Sequence, residues 1–357
     1  MDLSRYGFTQ PMRAALSALD DDGIPARVTA VHKERFALVC EEGECFARLK
    51  AGTYFNDRTE EFPTAGDFVL IRYNPSGDSV VIRTLPRRAY FARRNPTLGQ
   101  GEQAIAANFD FVFIMQSLNF DFNPRRLERY LALSWQSGAV PVVILTKSDL
   151  VGDSAPHLID AQRVASGVDV FAISAKTGAG MDALGDYLAP GRTIVLLGSS
   201  GVGKSSFVNA LSGEDVMAVS DIREDDSKGR HTTTHRQLLL LKSGVMVIDT
   251  PGMRELGMWE AEAGLGEAFS DVEQYLGQCR FSDCRHETEP GCAVRAAIEC
   301  GELSQERWES YQKLQRESSR SADQAEYLRQ KRQRFKEIAK LNKANGDKRA
   351  QPHEDYR

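Results

Sequence analysis

Residues 198–206 read GSSGVGKSS and bring together the groups needed to hold a polyphosphate. Gly198 and Gly203 let the backbone N–H groups of Ser199, Ser200, Gly201 and Val202 converge on phosphate oxygens. Lys204 supplies a cation for the β and γ oxygens, and the Ser205 hydroxyl, followed by Ser206, is a ligand for Mg²⁺. Further on, VMVIDTPG ends an apolar run at Asp249, a carboxylate suited to holding Mg²⁺ through water, and the Gly252 N–H can meet a γ-phosphate. Between these lies DDSKGRHTTTHR, too polar for a core element. One of Thr232, Thr233 and Thr234 is expected to close over Mg²⁺ when the γ-phosphate is present; we assign Thr233, and the others read as loop residues.

Two further segments can read a base. Guanine presents N1–H and a 2-amino group on one edge, a pair of donors that one carboxylate accepts together, and adenine has no such pair. In LTKSDL, Asp149 offers that carboxylate, Lys147 a stem to lie along the base, and Thr146 and Ser148 flank them. In ISAKTG, the Ala175 N–H, between Ser174 and Lys176, is placed to meet the guanine oxygen. A strand-to-helix turn with a capping Asp is the plain alternative for four residues such as TKSD. Two such segments beside a phosphate loop argue against it.

A third constellation is CRFSDCRHETEPGC, in which Cys279, Cys284, His286 and Cys292 follow a C-x4-C-x-H-x5-C spacing. Three thiolates and an imidazole suit tetrahedral Zn²⁺, and four protein ligands leave no open position for chemistry, so a structural site is expected. With six cysteines in 357 residues and no export-like start, the chain reads as reduced and cytoplasmic.

These groups need elements to hold them. Before residue 90, the runs ARVTAVH, RFALVC, ECFARLK, DFVLIRY and SVVIRTL alternate with turn formers, predicting a small five-stranded barrel of the oligonucleotide-binding (OB) type. LPRRAYFARRNPTLGQGEQ follows, with Arg87, Arg88, Arg93 and Arg94 around Tyr90 and Phe91; it reads either as a solvated linker or as an RNA contact. From residue 109, the runs FDFVFIM, VPVVIL, VDVFAI, TIVLL, QLLLL and VMVID predict a doubly wound, mostly parallel sheet with ligands at the carboxyl ends of its strands. The strand signal stops beyond residue 260. Residues 321–349 carry nine Lys or Arg against four Asp or Glu, either a solvated face or an RNA-contacting arm. The overall charge of −5 argues against a uniformly basic nucleic-acid coat, and no apolar run is long enough to span a membrane.

The order of the motifs is base reader, second base segment, phosphate loop, threonine switch, DTPG. Joining the ends of the usual chain and reopening it after DTPG gives this order, so the domain is circularly permuted. The barrel, the permuted order and the cysteine knot, with PTAGDFV, EQAIAANFDFVFI, RRLERYL and GRHTTTH, resemble the bacterial ribosome small-subunit-dependent GTPase A family over nearly the whole chain. The resemblance implies GTP hydrolysis stimulated by the small ribosomal subunit, contact with its rRNA and a role in its late maturation. It also supports a catalytic histidine. Met253 stands where many small GTPases carry a water-orienting Gln, which leaves His231 to orient the water; a solvated or rRNA-contacting His231 is the other reading.

The expected organisation is a barrel with an RNA-binding linker over 1–95, a permuted GTPase domain over 96–262, and a zinc-binding helical domain over 263–357. GTP or GDP with Mg²⁺, one structural Zn²⁺, a monomer, and release from the subunit timed by hydrolysis complete the expectation. A nucleotide-gated RNA-binding scaffold with incidental turnover is the alternative.

Overall fold

The computed structural model describes residues 1–17, 23–32, 35–50, 62–94, 102–119, 121–217, 236–249 and 262–319. The early apolar runs become β1 (Ile24–Val31), β2 (Phe36–Cys40), β3 (Gly43–Leu49), β4 (Phe68–Arg72) and β5 (Ser79–Thr84). They pair in the order β1-β2-β3-β5-β4, and β4 returns to β1, closing the barrel. β3 and β5 run parallel while the other neighbours are antiparallel, as in an OB fold. Val28, Leu38, Ala47, Phe68, Ile71 and Val81 fill the interior, and Leu3 and Phe8, preceding α1 (Gln10–Ser17), pack against them.

Residues 90–94 and 102–107 form strands that the linker reading did not foresee. β6 (Tyr90–Arg94) and β7 (Glu102–Ala107) form a separate antiparallel ribbon. Its cause lies in a period of two: Ala89 and Phe91 are buried while Tyr90 is exposed, and the Phe91 ring stacks on Phe109 at 5.0 Å. Arg87, one of the four arginines read as part of either a solvated linker or an RNA contact, grips the buried Asp67 with Nε and Nη2 at 2.8 Å each.

The second half builds β8 (Phe111–Ser117), β9 (Val140–Thr146), β10 (Val170–Ala172), β11 (Thr193–Gly198), β12 (Gln237–Leu240) and β13 (Met246–Asp249). Their order is β10-β9-β8-β11-β13-β12, parallel except for β12, which forms a hairpin with β13. α2 (Pro124–Gln136) and α3 (Ala155–Val164) cover one face, and α4 (Lys204–Ser212) packs Phe207 and Val208 on the other. β1 of the barrel bridges to β12 through Ala30 and Gln237, so barrel and doubly wound sheet are continuous. Arg27 of β1 fastens the junction. Fully buried, it donates to the carbonyls of Tyr6, Gly66 and Asn108 and to the Thr193 hydroxyl at the start of β11.

The remaining helices are α5 (Glu262–Ala268), α6 (Ser270–Glu273), α7 (Ala293–Glu299) and α8, residues 305–319. α5 crosses α2 so closely that a Cβ at Gly264 would lie 2.1 Å from the Ala132 carbonyl oxygen. Beside this crossing, the buried Glu128 of α2 accepts from Arg307 at 2.8 Å and from the Ser310 hydroxyl. Arg307 also donates to Asp271 at 2.8 and 3.0 Å and lies over the Phe269 ring. Burial of a charge is tolerated only when it is paired and hydrogen-bonded, and Arg307 meets both conditions.

Candidate nucleotide site and metal centre

β11 lies between β8 and β13, so the loop after it opens at the centre of the sheet's carboxyl edge. Gly198 is required there because β11 runs tight against β8: a Cβ would sit 2.5 Å from the Met115 carbonyl oxygen. Gly201 and Gly203 adopt positive φ (73° and 105°), which turns the chain back on itself. The N–H groups of residues 200–203 donate to no described residue, and Lys204 opens α4 with its ammonium 2.9 Å from the Gly198 carbonyl and 2.7 Å from that of Ser199. A ring of free amides with a cation folded back over it is an anion cradle at a helix N-terminus. Ser205 lies in the first turn of α4, and Asp249 ends β13, the neighbour of β11, at the same edge of the sheet.

The base-reading segments meet beside this cradle. Ser174 donates its hydroxyl proton to Asp149 Oδ1 at 2.6 Å, which leaves the other carboxylate oxygen available to a ligand. The Ser148 N–H bonds to the Ile173 carbonyl at 3.0 Å, lacing the TKSD loop after β9 to the SAKTG loop after β10. Lys147 sits in the left-handed region at φ 60°. Thr146 donates to the Val202 carbonyl at 2.6 Å and so ties the base reader to the phosphate loop. The Ala175 N–H has no partner among the described residues, as a group awaiting a carbonyl oxygen requires.

In the carboxyl-terminal segment the four knot residues close on one another. Cys279 Sγ lies 3.9 Å from Cys292 Sγ and 3.5 Å from His286 Nδ1, which is 3.4 Å from Cys292 Sγ; all four ligand atoms fall within 4.8 Å of one another. A tetrahedron with Zn–S of about 2.3 Å has edges of roughly 3.8 Å, so the donor set fits zinc. The intervening loop is held by Glu289, whose carboxylate accepts backbone N–H groups of its own residue, Arg285, Glu287 and Thr288 and is drawn down to about 2. His286 packs edge-on against Trp308 of α8, joining the knot to the helical domain.

Comparison with known proteins places this arrangement. Residues 84–259 match the family model described as RsgA GTPase. The chain is 46% identical over 343 residues to the small ribosomal subunit biogenesis GTPase RsgA 1 of Listeria innocua, covering 95% of this chain and 96% of that protein. The chain belongs to the RsgA GTPase family. An RsgA of Methanosarcina acetivorans is 43% identical over 337 residues, covering 93% of this chain and 90% of its own. Among solved structures, YjeQ from Thermotoga maritima superposes with a TM-score of 0.59 at 26% identity over 82% of this chain and 96% of that one. YloQ, described as a circularly permuted GTPase, gives 0.58 at 25% over 83% and 95%.

As a member of the RsgA GTPase family the protein uses Mg²⁺ with GTP, and Cys279, Cys284, His286 and Cys292 form a site that can hold zinc. His231, Thr232, Thr233, Thr234, Gly252 and Met253 lie outside the described residues, as does the basic stretch 321–349. The sequence reading passed over Asp121, whose carboxylate accepts from the phosphate-loop Ser199 hydroxyl at 2.7 Å and pairs with Arg126 at 2.8 Å. Its position after a parallel strand at the sheet's carboxyl edge was the available signal.

Proposed function

We propose that the protein docks on the small ribosomal subunit through rRNA, assists its late maturation and hydrolyses GTP to time its release, as a cytoplasmic monomer. The hydrogen bond from Thr146 to Val202 carries the nucleotide half of this reading. It makes one rigid site of a guanine reader and a phosphate cradle that lie far apart in the chain. Lys204 turns from its two carbonyls to the β and γ oxygens, Asp149 and Ala175 hold the base, and residues 199–206 line the triphosphate. Ser205, Thr233 and Asp249 would hold Mg²⁺, which would offset the charge developing on the transferred phosphoryl group. Gly252 senses the γ-phosphate, and His231 orients the attacking water.

The division of labour follows the segments 1–95, 96–262 and 263–357. Support for RNA on the barrel comes from Phe46, 40% exposed on β3, with the Arg35 guanidinium 4.1 Å from its centroid and His32 beside it, a mixed cation and aromatic surface of the kind on which bases stack. Among the described residues no helix is long and apolar enough to cross a membrane.

The deciding experiment is GTP turnover with and without purified small subunits, with ATP as the comparison. Strong stimulation for GTP alone is the expected result. Turnover indifferent to subunits, or equal for ATP, would overturn the reading.

A further inference from the structure

We propose that Asp121 is a positioning residue of the GTPase: it holds the phosphate loop through Ser199 and hands the state of that loop, through Arg126 and α2, to the zinc-bearing domain. The proposal rests on the assignment of residues 198–206 as the phosphate cradle.

The two oxygens of one carboxylate make the link. Asp121 Oδ2 accepts the Ser199 hydroxyl at 2.7 Å, and Oδ1 lies 2.8 Å from Arg126 Nη2, which also donates to the Asp121 backbone carbonyl. The Asp121 and Arg126 side chains are only 24% and 31% exposed, so solvent ions screen the pair weakly. Arg126 stands in the first turn of α2, a helix fixed at its start by Asn123, which accepts the Arg126 N–H, and by Pro124 at its first position.

Further along α2, Glu128 is the buried anchor for Arg307 and Ser310 of α8, and α5 crosses at Gly264. α5 is the first described element after DTPG, so α2, linked to the phosphate loop through Arg126 and Asp121, also packs against the first described element beyond that motif.

The same geometry gives the link a direction. Lys204 occupies the Ser199 carbonyl while Asp121 occupies the Ser199 hydroxyl. When phosphate draws Lys204 away, the carbonyl of Ser199 loses that contact, and a second anion arrives beside the carboxylate that Arg126 pairs with. The Asp121–Arg126 pair therefore has a different energy in the empty and filled loop. Such a difference is the requirement for a ligand to shift a distant equilibrium, and the coupling must be reciprocal.

The test uses full-length, zinc-loaded protein and follows amide hydrogen exchange over residues 293–319, nucleotide-free and with saturating GDP. Wild type is expected to show at least an about 5-fold change in exchange rate in this segment on GDP binding, the low end of ordinary coupling. Asp121→Asn keeps an acceptor for Ser199 and removes the charge facing Arg126, and Arg126→Gln removes the cation; both should shrink the change below about twofold. Reciprocally, Glu128→Gln, remote from the loop, should alter GDP affinity by about 5-fold.

A merely structural effect would raise exchange equally in both states and leave the difference intact. Wild type that binds GDP without a change in this segment, or variants that retain the wild-type change, would overturn the proposal. Wild type that binds no guanine nucleotide would instead overturn the phosphate-loop assignment, a separate and recognisable failure.

Discussion

Thr146, the last residue of β9, gives its hydroxyl proton to the carbonyl of Val202 in the phosphate loop at 2.6 Å, across 56 residues of chain. The more common residue at this point of a guanine reader is Asn, and a threonine is enough here because the strand end and the loop almost touch. A Cβ on Gly203 would lie only 3.9 Å from the same hydroxyl. The TKSD loop and the glycine-rich loop are consequently tied together at this point.

Replacing Thr146 with Val keeps the shape and removes the donor. One buried hydrogen bond contributes about 1 kcal/mol, so GTP affinity measured by calorimetry should fall about 5-fold, and Thr146→Ser should restore it. Equal affinities for all three proteins would remove the strut from the site.

Asp149→Asn exchanges a pure acceptor for a group that also donates. Guanine then faces a donor with its own donors and should lose about 100-fold or more in affinity. Xanthine, which carries an oxygen in place of the 2-amino group, should gain. Competition between GTP and XTP for the variant reads this out directly. Failure of xanthine nucleotides to improve would mean that Asp149 does not face the base.

The His231 assignment yields a sharp split between binding and rate. General acid–base help from a positioned side chain contributes roughly 10²- to 10⁴-fold, so His231→Ala should lose at least about 100-fold of the subunit-stimulated turnover. Its GTP and subunit affinities should stay close to wild type. Retention of stimulated turnover would transfer the role to His235 or to an rRNA group.

Metal removal should act on one end of the molecule only. Wild type purified without chelator should carry one zinc per chain by atomic emission. Chelation or Cys284→Ala should free Trp308 from its edge-on contact with His286 and expose α8 to protease, with GTP still bound. Zinc-free protein with an unaltered carboxyl-terminal digestion pattern would contradict a structural centre.

Much of this was legible in one dimension because its signals are local. The phosphate loop is a run whose glycines are demanded by backbone geometry at Gly201 and Gly203. The zinc knot is a spacing within one short segment, and the OB strands announce themselves by alternation. The inverted order of the motifs identified the permutation without any coordinates. The β6–β7 ribbon was not foreseen as paired strands because its alternation is short and interrupted by arginines, so composition masked the period of two.

The sequence by itself nominated the groups proposed to meet the nucleotide and the metal, because those assignments rest on residue type and short spacing. Only the tertiary structure decided what connects them. Thr146 to Val202, Asp121 to Ser199, and Glu128 to Arg307 join residues far apart in the chain, and a hydrogen bond or ion pair at 2.6–2.8 Å has no periodic trace in the amino-acid order. Such contacts exist because parallel strands deliver their carboxyl ends to one edge and helices cross at a small residue. Their partners are therefore fixed by packing rather than by pattern.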